Sequence, residues 1–294
     1  MKRFSKILVN ILAAIMVVLS CSFLVACEDI KVLEVKVNVY NTTDKVMEEK
    51  TLTVDLYRHL APTTVDTIAK YAEEGYYNDS FFYVSATQTS VILMGDLKFN
   101  QNKQVTQNLD ANTNKLKDTI TGEFAKNNVI GSNLKNVEGS IGLWRSWTAN
   151  GNYAVSDNAR DSGRATWYMP TSDISTSHDG WFCVFGQYNM DTESESYKTY
   201  NAIKNLLNNS EYYENYVIYY TGEYVEDDSV LNNGLTFNCV PESEFSSVDE
   251  ESVFVPEGSQ YACYSKLTIR VPLVNKGNKT EKALALSIKS ISVR

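Results

Sequence analysis

Cys27 has the surroundings that most directly specify chemistry. Lys2, Arg3 and Lys6 precede an apolar run from Ile7 to Ala26, which ends in Leu24-Val25-Ala26-Cys27. The run is about long enough to span a bilayer. The small residues before a cysteine instead resemble a bacterial lipobox, with a charged and then an apolar leader ahead of the cleavage site. Residues 1–26 then read as a lipoprotein signal peptide, Cys27 as a diacylated N-terminus and 27–31 as a short tether. Two acyl chains hold a protein stably, at about 0.8 kcal/mol per buried CH₂, where one is marginal.

Other candidates weigh less. His59 and His178 are the only two histidines, which leaves little room for a His-rich metal site, and no metal or cofactor is expected. Ser132 with Lys135, Ser156-Asp157-Asn158 and Lys279-Thr280 echo the motifs of penicillin-interacting serine enzymes. Glu281 stands where that pattern needs glycine, and Gly131 and Gly139 bracket a segment that should open a helix. Asp110, Asn112 and Asn114 mimic the start of a calcium loop, but Lys115 replaces its glycine and Thr121 its last glutamate, so a polar surface loop is the reading. Cys183 lies in an apolar run and reads as a small core residue. His178 reads as a solvated turn residue. For Cys239 and Cys263 a disulfide and two free thiols fit equally.

The elements that would position these residues are mostly strands. Val35, Val37 and Val39 alternate with polar residues, as do Leu52, Val54 and Leu56, and a polar turn joins them into a β-hairpin. Pro62 to Asp66 opens a helix, with Thr63 as N-cap, an apolar face of Val65, Ile68, Ala69 and Ala72, and Gly75 at C′. Phe81–Val84, Ser90–Leu93, Gly139–Trp144, Ala165–Met169 and Trp181–Phe185 read as strands. Residues 98–121 read as a long surface loop. Glu195–Leu207 carries Tyr200, Ile203 and Leu207 at helical spacing. The acidic, Tyr-rich stretch 208–262 yields no assignment. Alternation returns at Leu267–Leu273 and at Leu284–Ile288.

The order of these pieces resembles the cyclophilin family of peptidyl-prolyl isomerases. Leu52–Tyr57 running into Ala61–Val65, Gly75-Tyr76-Tyr77 before Phe81-Phe82, and Gly95-Asp96 follow the family's order. So do Gly122-Glu123-Phe124, Gly139–Leu143, Ala165–Met169 and Asp179-Gly180 before Val184-Phe185-Gly186. The likeness covers roughly residues 31–205, with Leu284–Val293 as a last strand. It implies a mainly β fold: a closed eight-stranded antiparallel barrel capped by two helices. One domain, 32–294, would include an insertion at about 208–266.

The implied chemistry is rotation about an X–Pro bond, slow because amide resonance must be broken. In the family an arginine donates to the prolyl nitrogen as it becomes pyramidal, a glutamine holds the peptide and an apolar pocket takes the proline ring. Here the arginine position falls on Val84 and the glutamine position on Leu93, and residues 76–97 contain no arginine. Thr166 replaces a second glutamine and Phe182 the histidine of the groove. Phe82, Leu143, Trp144 and Tyr168 complete the expected groove, with Trp144 where the family keeps a small residue. Arg145 and Arg164 are the cations near enough in sequence to reach its rim. Losing a donor aimed at the transition state costs about 10²–10³ in rate.

Composition restricts partners. The chain has 294 residues, a net charge of −9 and 43% hydrophobic residues, an ordinary globular mix without the basic face of a nucleic-acid binder. Without the leader, 27 basic residues become 24 against 36 acidic ones, a net charge of −12, so lipid rather than charge must hold the chain at a membrane. Three functions fit. The first is a lipid-anchored isomerase-like protein of the bacterial cell membrane, on its extracytoplasmic side, acting weakly on proline-containing segments of secreted proteins. The second is the same barrel as a peptide- or protein-binding module without turnover. The third is a surface structural lipoprotein working through 208–262. The anchor has a direct test: Cys27→Ser is expected to leave the protein uncleaved or released, and normal mature lipoprotein from that variant would refute it.

Overall fold

The computed structural model describes residues 30–86, 88–100, 102, 104–129, 134–145, 160–222, 235–245, 267–275 and 282–294. The first two strands form the expected hairpin. β1 (Ile30–Asn41) pairs antiparallel with β2 (Val46–Tyr57) along its whole length, from Ile30 opposite Tyr57 to Asn41 opposite Val46. The alternating valines of β1 and Leu52, Val54 and Leu56 of β2 are buried, as a period of two requires. The turn is fixed by the Asn41 side chain, whose Oδ1 accepts from the Thr43 and Asp44 N–H groups.

Helix α1 (Pro62–Glu73) follows and buries Val65, Ile68, Ala69 and Ala72 as its pattern dictates. Its start differs from expectation. The N-cap is Ala61, which has no side-chain oxygen, and Pro62 occupies the first turn. The orphan N–H groups of Thr63 and Thr64 are instead taken by the two carboxylate oxygens of Glu123, at 3.0 and 2.7 Å, from a loop about sixty residues away. Gly75 closes the helix at φ +69°, the left-handed conformation expected at C′.

The remaining strands are β3 (Ser80–Ser85), β4 (Gln88–Phe99), β5 (Val105–Gln107), β6 (Ser140–Leu143), β7 (Trp167–Pro170) and β8 (Val184–Tyr188). After them come β9 (Tyr213–Gly222), β10 (Leu235–Pro241), β11 (Leu267–Asn275), β12 (Lys282–Leu284) and β13 (Leu286–Val293). Helix α2 (Ser175–His178) is a single turn. Helix α3 (Glu195–Asn208) is capped by Ser194, whose Oγ accepts from the Tyr197 N–H. Helix α4 (Glu242–Phe245) is again one turn.

All pairing is antiparallel, in one path: β10-β9-β11-β3-β4-β7-β6-β8-β2-β1-β13, with β5 on β4 and β12 on β11. The eight strands from β3 to β13 in that path wrap a first core, with α1 and α3 against them. The expected closed barrel is not formed, however. β13 comes alongside the start of β3, where the Asp79 N–H donates to the Ile288 carbonyl at 3.0 Å, but no ladder joins the two strands. The end of β3 is taken by β11, with Ile269 opposite Ser85 and Arg270 opposite Val84. Past β3 the sheet runs on into β11, β9 and β10 instead of closing.

Two other expectations change. The stretch read as a surface loop, 98–121, is partly built into the sheet by β5, and Asn108 within it is fully buried. Its amide donates to the carbonyls of Tyr76 and Gly95, so at this position a polar residue is held inside by hydrogen bonds. The Trp181–Phe185 run becomes strand only from Val184. Glu123 supplies the prediction. Glu123→Ala leaves two helix N–H groups without acceptors and is expected to cost about 2 kcal/mol in a urea titration, with Glu123→Gln losing less. Unchanged stability in Glu123→Ala would show that this long-range cap contributes nothing.

Candidate functional site

Strands β3, β4, β7 and β6 lie side by side, and their register sorts the expected groove residues onto two faces. Phe82 lies opposite Met94, Met94 opposite Trp167, and Trp167 opposite Leu143, and this row belongs to the first core. Tyr83 lies opposite Leu93, Leu93 opposite Tyr168, and Tyr168 opposite Gly142. Tyr83, Leu93 and Tyr168 belong to a second core with Trp144 and Phe182. A strand alternates faces at every residue, so Phe82, Val84 and Leu143 point into the first core, away from Leu93. The residue that shares face and register with Leu93 is Tyr83, one position from the Val84 that the sequence alignment puts there. A register shift between Tyr83 and Ser85 sets this pairing, so alternation counted through the β3–β4 turn does not find it.

The Tyr83 hydroxyl proton is engaged by the Asp96 carboxylate, 2.8 Å from Oδ2. The Tyr168 ring fits because Gly142 faces it: a Cβ there would lie 2.4 Å from the ring carbon bearing its hydroxyl. The Tyr168 hydroxyl donates to Asn136 Oδ1. Asn136 in turn gives its backbone N–H and its amide to Asp179 Oδ1, both at 2.9 Å. Burial works against the Asp179 carboxylate, yet hydrogen bonds from Asn136 and Lys135 hold its pKa below the usual value.

Around this row the aromatic rings close on one another. Trp144 meets Tyr168 edge-on at 5.7 Å between centroids and lies 5.6 Å from Phe182. Phe182 also stacks on His178 at 4.6 Å and 24°. Arg145 places its guanidinium over the Phe124 and Phe182 rings, at 5.0 and 5.1 Å, and donates from Nε to the Trp181 carbonyl at 2.7 Å. Thr166 uses its carbonyl to accept the Trp144 N–H. None of the nine expected groove residues is more than 5% exposed. Tyr216, Ile218 and Tyr220 of β9 and Ile269, Val271 and Leu273 of β11 complete the same core, and the Gln107 amide ties β5 to the Tyr220 hydroxyl at 3.1 Å. The face is thus an apolar, aromatic packing surface.

The other candidates also find their places. Arg164 donates to the Lys117 carbonyl beside Tyr71 and Tyr76 of the first-core side, so of the two arginines only Arg145 joins the aromatic cluster. Asp110 caps its own loop, accepting from the Asn112 and Thr113 N–H groups and pairing with Lys117, whose hydrogen bond lowers its pKa to about 2. Among the described residues no acidic, His or Cys cluster could hold a metal ion. Cys183 is a core residue, its thiol pushed up to about 12 by burial. Lys135 pairs with Asp179, while Ser132, Ser156, Lys279 and Cys263 lie outside the described residues. Among the described residues Cys239 forms no disulfide.

His178 departs from expectation: it is buried rather than solvated, and burial lowers its pKa to about 4, with Asp179 pulling the other way. The folded state therefore keeps it neutral while the unfolded chain protonates near pH 6.5. Stability is full above the unfolded value and falls as pH drops from about 6.5 toward 4. We expect a loss of about 2 kcal/mol between pH 7 and 4.5, read from urea midpoints, and a flatter profile for His178→Gln. Equal profiles for the two proteins would show that His178 does not titrate in this window.

Residues 39–222 match the family model described as cyclophilin type peptidyl-prolyl cis-trans isomerase/CLD. Among solved structures, the chain is similar to a cyclophilin type peptidyl-prolyl cis-trans isomerase from Cryptosporidium parvum. The identity is 13%, over 72% of this chain and 98% of that one, with a TM-score of 0.37. The same enzyme in the presence of the dipeptide Ala-Pro matches at 13% identity over the same shares, with a TM-score of 0.36. The cyclophilin AquaCyp293 from Hirschia baltica matches at 15% identity over 55% of this chain and 67% of that one, with a TM-score of 0.29. No curated protein matches.

Proposed function

This chain belongs to the cyclophilin type peptidyl-prolyl cis-trans isomerase family, and on that premise we propose that it is a lipid-anchored binding protein of the extracytoplasmic face of a bacterial membrane, with isomerase turnover weak or lost. Its partners are secreted or surface proteins, proline-containing segments among them. The anchor reading is supported by the charged and apolar leader ending in Leu24-Val25-Ala26-Cys27. The acidic composition argues against nucleic acid as a partner.

The observation that carries the loss of turnover is the row Tyr83–Leu93–Tyr168. Isomerisation needs a fixed donor aimed at the prolyl nitrogen in the twisted state. Leu93 has none, and the Tyr83 hydroxyl is engaged by Asp96. Access is limited by energy as well. Burying a large apolar side chain is worth about 1.5–3 kcal/mol. Uncovering Tyr83, Leu93, Trp144, Tyr168 and Phe182 together would cost on the order of 10 kcal/mol, similar to the ~5–15 kcal/mol that holds a whole domain folded. The covering strands therefore act as part of the domain and not as a lid.

Turnover of an Ala-Pro peptide is expected to fall about 10²–10³-fold below that of an ordinary cyclophilin at equal folded concentration. Turnover at the ordinary level would overturn the proposal. Substituting Val84→Arg should not restore activity, because the side chain enters the first core, where an unpaired charge destabilises the fold. A thermal melt of that variant checks this directly.

A further inference from the structure

The outer edge of β2 is covered for part of its length and open for the rest. Val32 of β1 exchanges backbone hydrogen bonds with Arg294, at 2.8 and 3.0 Å, and the Tyr40 N–H donates to the Ala285 carbonyl. The even-numbered residues of β1 thus turn their backbone groups toward β13, and the odd-numbered ones toward β2. Odd residues of β1 lie opposite even residues of β2, so the odd residues of β2 turn their N–H and C=O groups away from β1. On that edge Asp55 meets Gln187 of β8. At Thr53 the Ser196 Oγ of α3 accepts the N–H at 3.0 Å and donates to the carbonyl at 3.2 Å, and the Thr199 hydroxyl donates to the Thr51 carbonyl at 2.9 Å. There the cover stops. The outward backbone groups of Glu49 and Met47 have no partner among the described residues. Val46 and Met47 are 51% and 45% exposed, two of the three large apolar residues at the surface of the described chain.

We propose that this open edge, Val46–Glu49, pairs antiparallel with the same edge of a second copy of the chain, with Met47 opposite Met47 on a two-fold axis. Charge selects both the occupant and the register. Lys36, Lys45, Lys50 and Lys289 stand here with Asp44, Glu48 and Glu49, so two copies meet at this edge without the repulsion of the acidic chain at large. Only odd residues carry outward backbone groups, so the axis falls on Met47, Glu48 or Glu49. An axis on Glu48 or Glu49 sets two carboxylates directly opposite each other, which is destabilising. An axis on Glu49 also runs the second strand into Ser196 and Thr199. An axis on Met47 sets apolar against apolar and places Lys45 opposite Glu49 on both sides of it. The edge is thus self-complementary, as a two-fold contact requires. Pairing gives the outward groups of Met47 partners and removes Val46 and Met47 from water.

The test uses the full chain in detergent, with micelles in excess over protein. Sedimentation equilibrium is expected to show monomer and dimer exchanging with concentration. Met47→Pro removes the N–H on the axis and no bond within the monomer, so it should abolish the dimer and leave the thermal melt of the monomer little changed. Lys45→Glu should weaken the dimer about tenfold, and Lys45→Glu with Glu49→Lys should restore it. Oxidative crosslinking reads the register. Directly opposed residues of a hydrogen-bonded pair have Cα atoms about 5.5 Å apart, within reach of a disulfide, so Met47→Cys should crosslink two copies. In the same register Glu49→Cys sets its two thiols roughly 13 Å apart along the strands and should not crosslink. A chain that stays monomeric, a dimer that survives Met47→Pro, a charge swap that restores nothing, or a crosslink through position 49 in place of 47 would overturn the proposal.

Discussion

Strand β3 is buried on both faces, and the rest of the molecule is arranged to permit it. Ser80, Phe81, Phe82, Tyr83, Val84 and Ser85 are all sequestered from water. Phe82 and Val84 fill the first core, and Phe81 and Tyr83 fill the second. A sheet of antiparallel strands can leave one face wet when that face is polar. Here it is not, because Leu93, Tyr168, Val91 and Leu97 extend the apolar surface across the neighbouring strands. Both sides must be covered, one by the wrap of the eight-stranded arc and the other by β9 and β11.

That requirement links the open sheet to the functional reading. β11 reaches the second face by pairing with the end of β3, and the sheet runs on there instead of closing. The same strands bring Ile269, Val271, Tyr216 and Ile218 into the core with Tyr83 and Tyr168. Loss of closure, burial of the groove face and absence of an accessible donor are therefore three consequences of one arrangement. The aromatic cluster of Trp144, Phe182 and His178, with Arg145 over its edge, completes that surface.

Long-range polar contacts hold the pieces in register. Glu123 supplies the oxygens that the start of α1 lacks, and Thr199 and Ser196 of α3 bond to the backbone of β2 at Thr51 and Thr53. Lys117 bridges Glu74 and Asp110 over the rings of Tyr71 and Tyr76. Each joins a helix or loop to an element distant in sequence, where a lost partner would leave a buried group unsatisfied.

The sequence by itself determined the local elements. Alternation at Val35–Val39 and Leu52–Leu56 specified the hairpin, and the spacing of Val65, Ile68 and Ala72 with Gly75 specified α1 and its end, because a side chain's face is set by backbone period alone. The collinear motifs specified the family. They also specified the missing arginine, since no residue from 76 to 97 can supply it. Only tertiary structure decided which face each groove residue takes. Val84 and Tyr83 differ by one position, and pairing with Leu93, not composition, selects Tyr83. It also decided that Glu123 rather than Thr63 caps α1, that His178 is buried, and that β9, from the unassigned stretch, becomes cover for the second core. These depend on which distant segment arrives beside an unsatisfied group or an apolar face, and such a choice has no signature in local spacing.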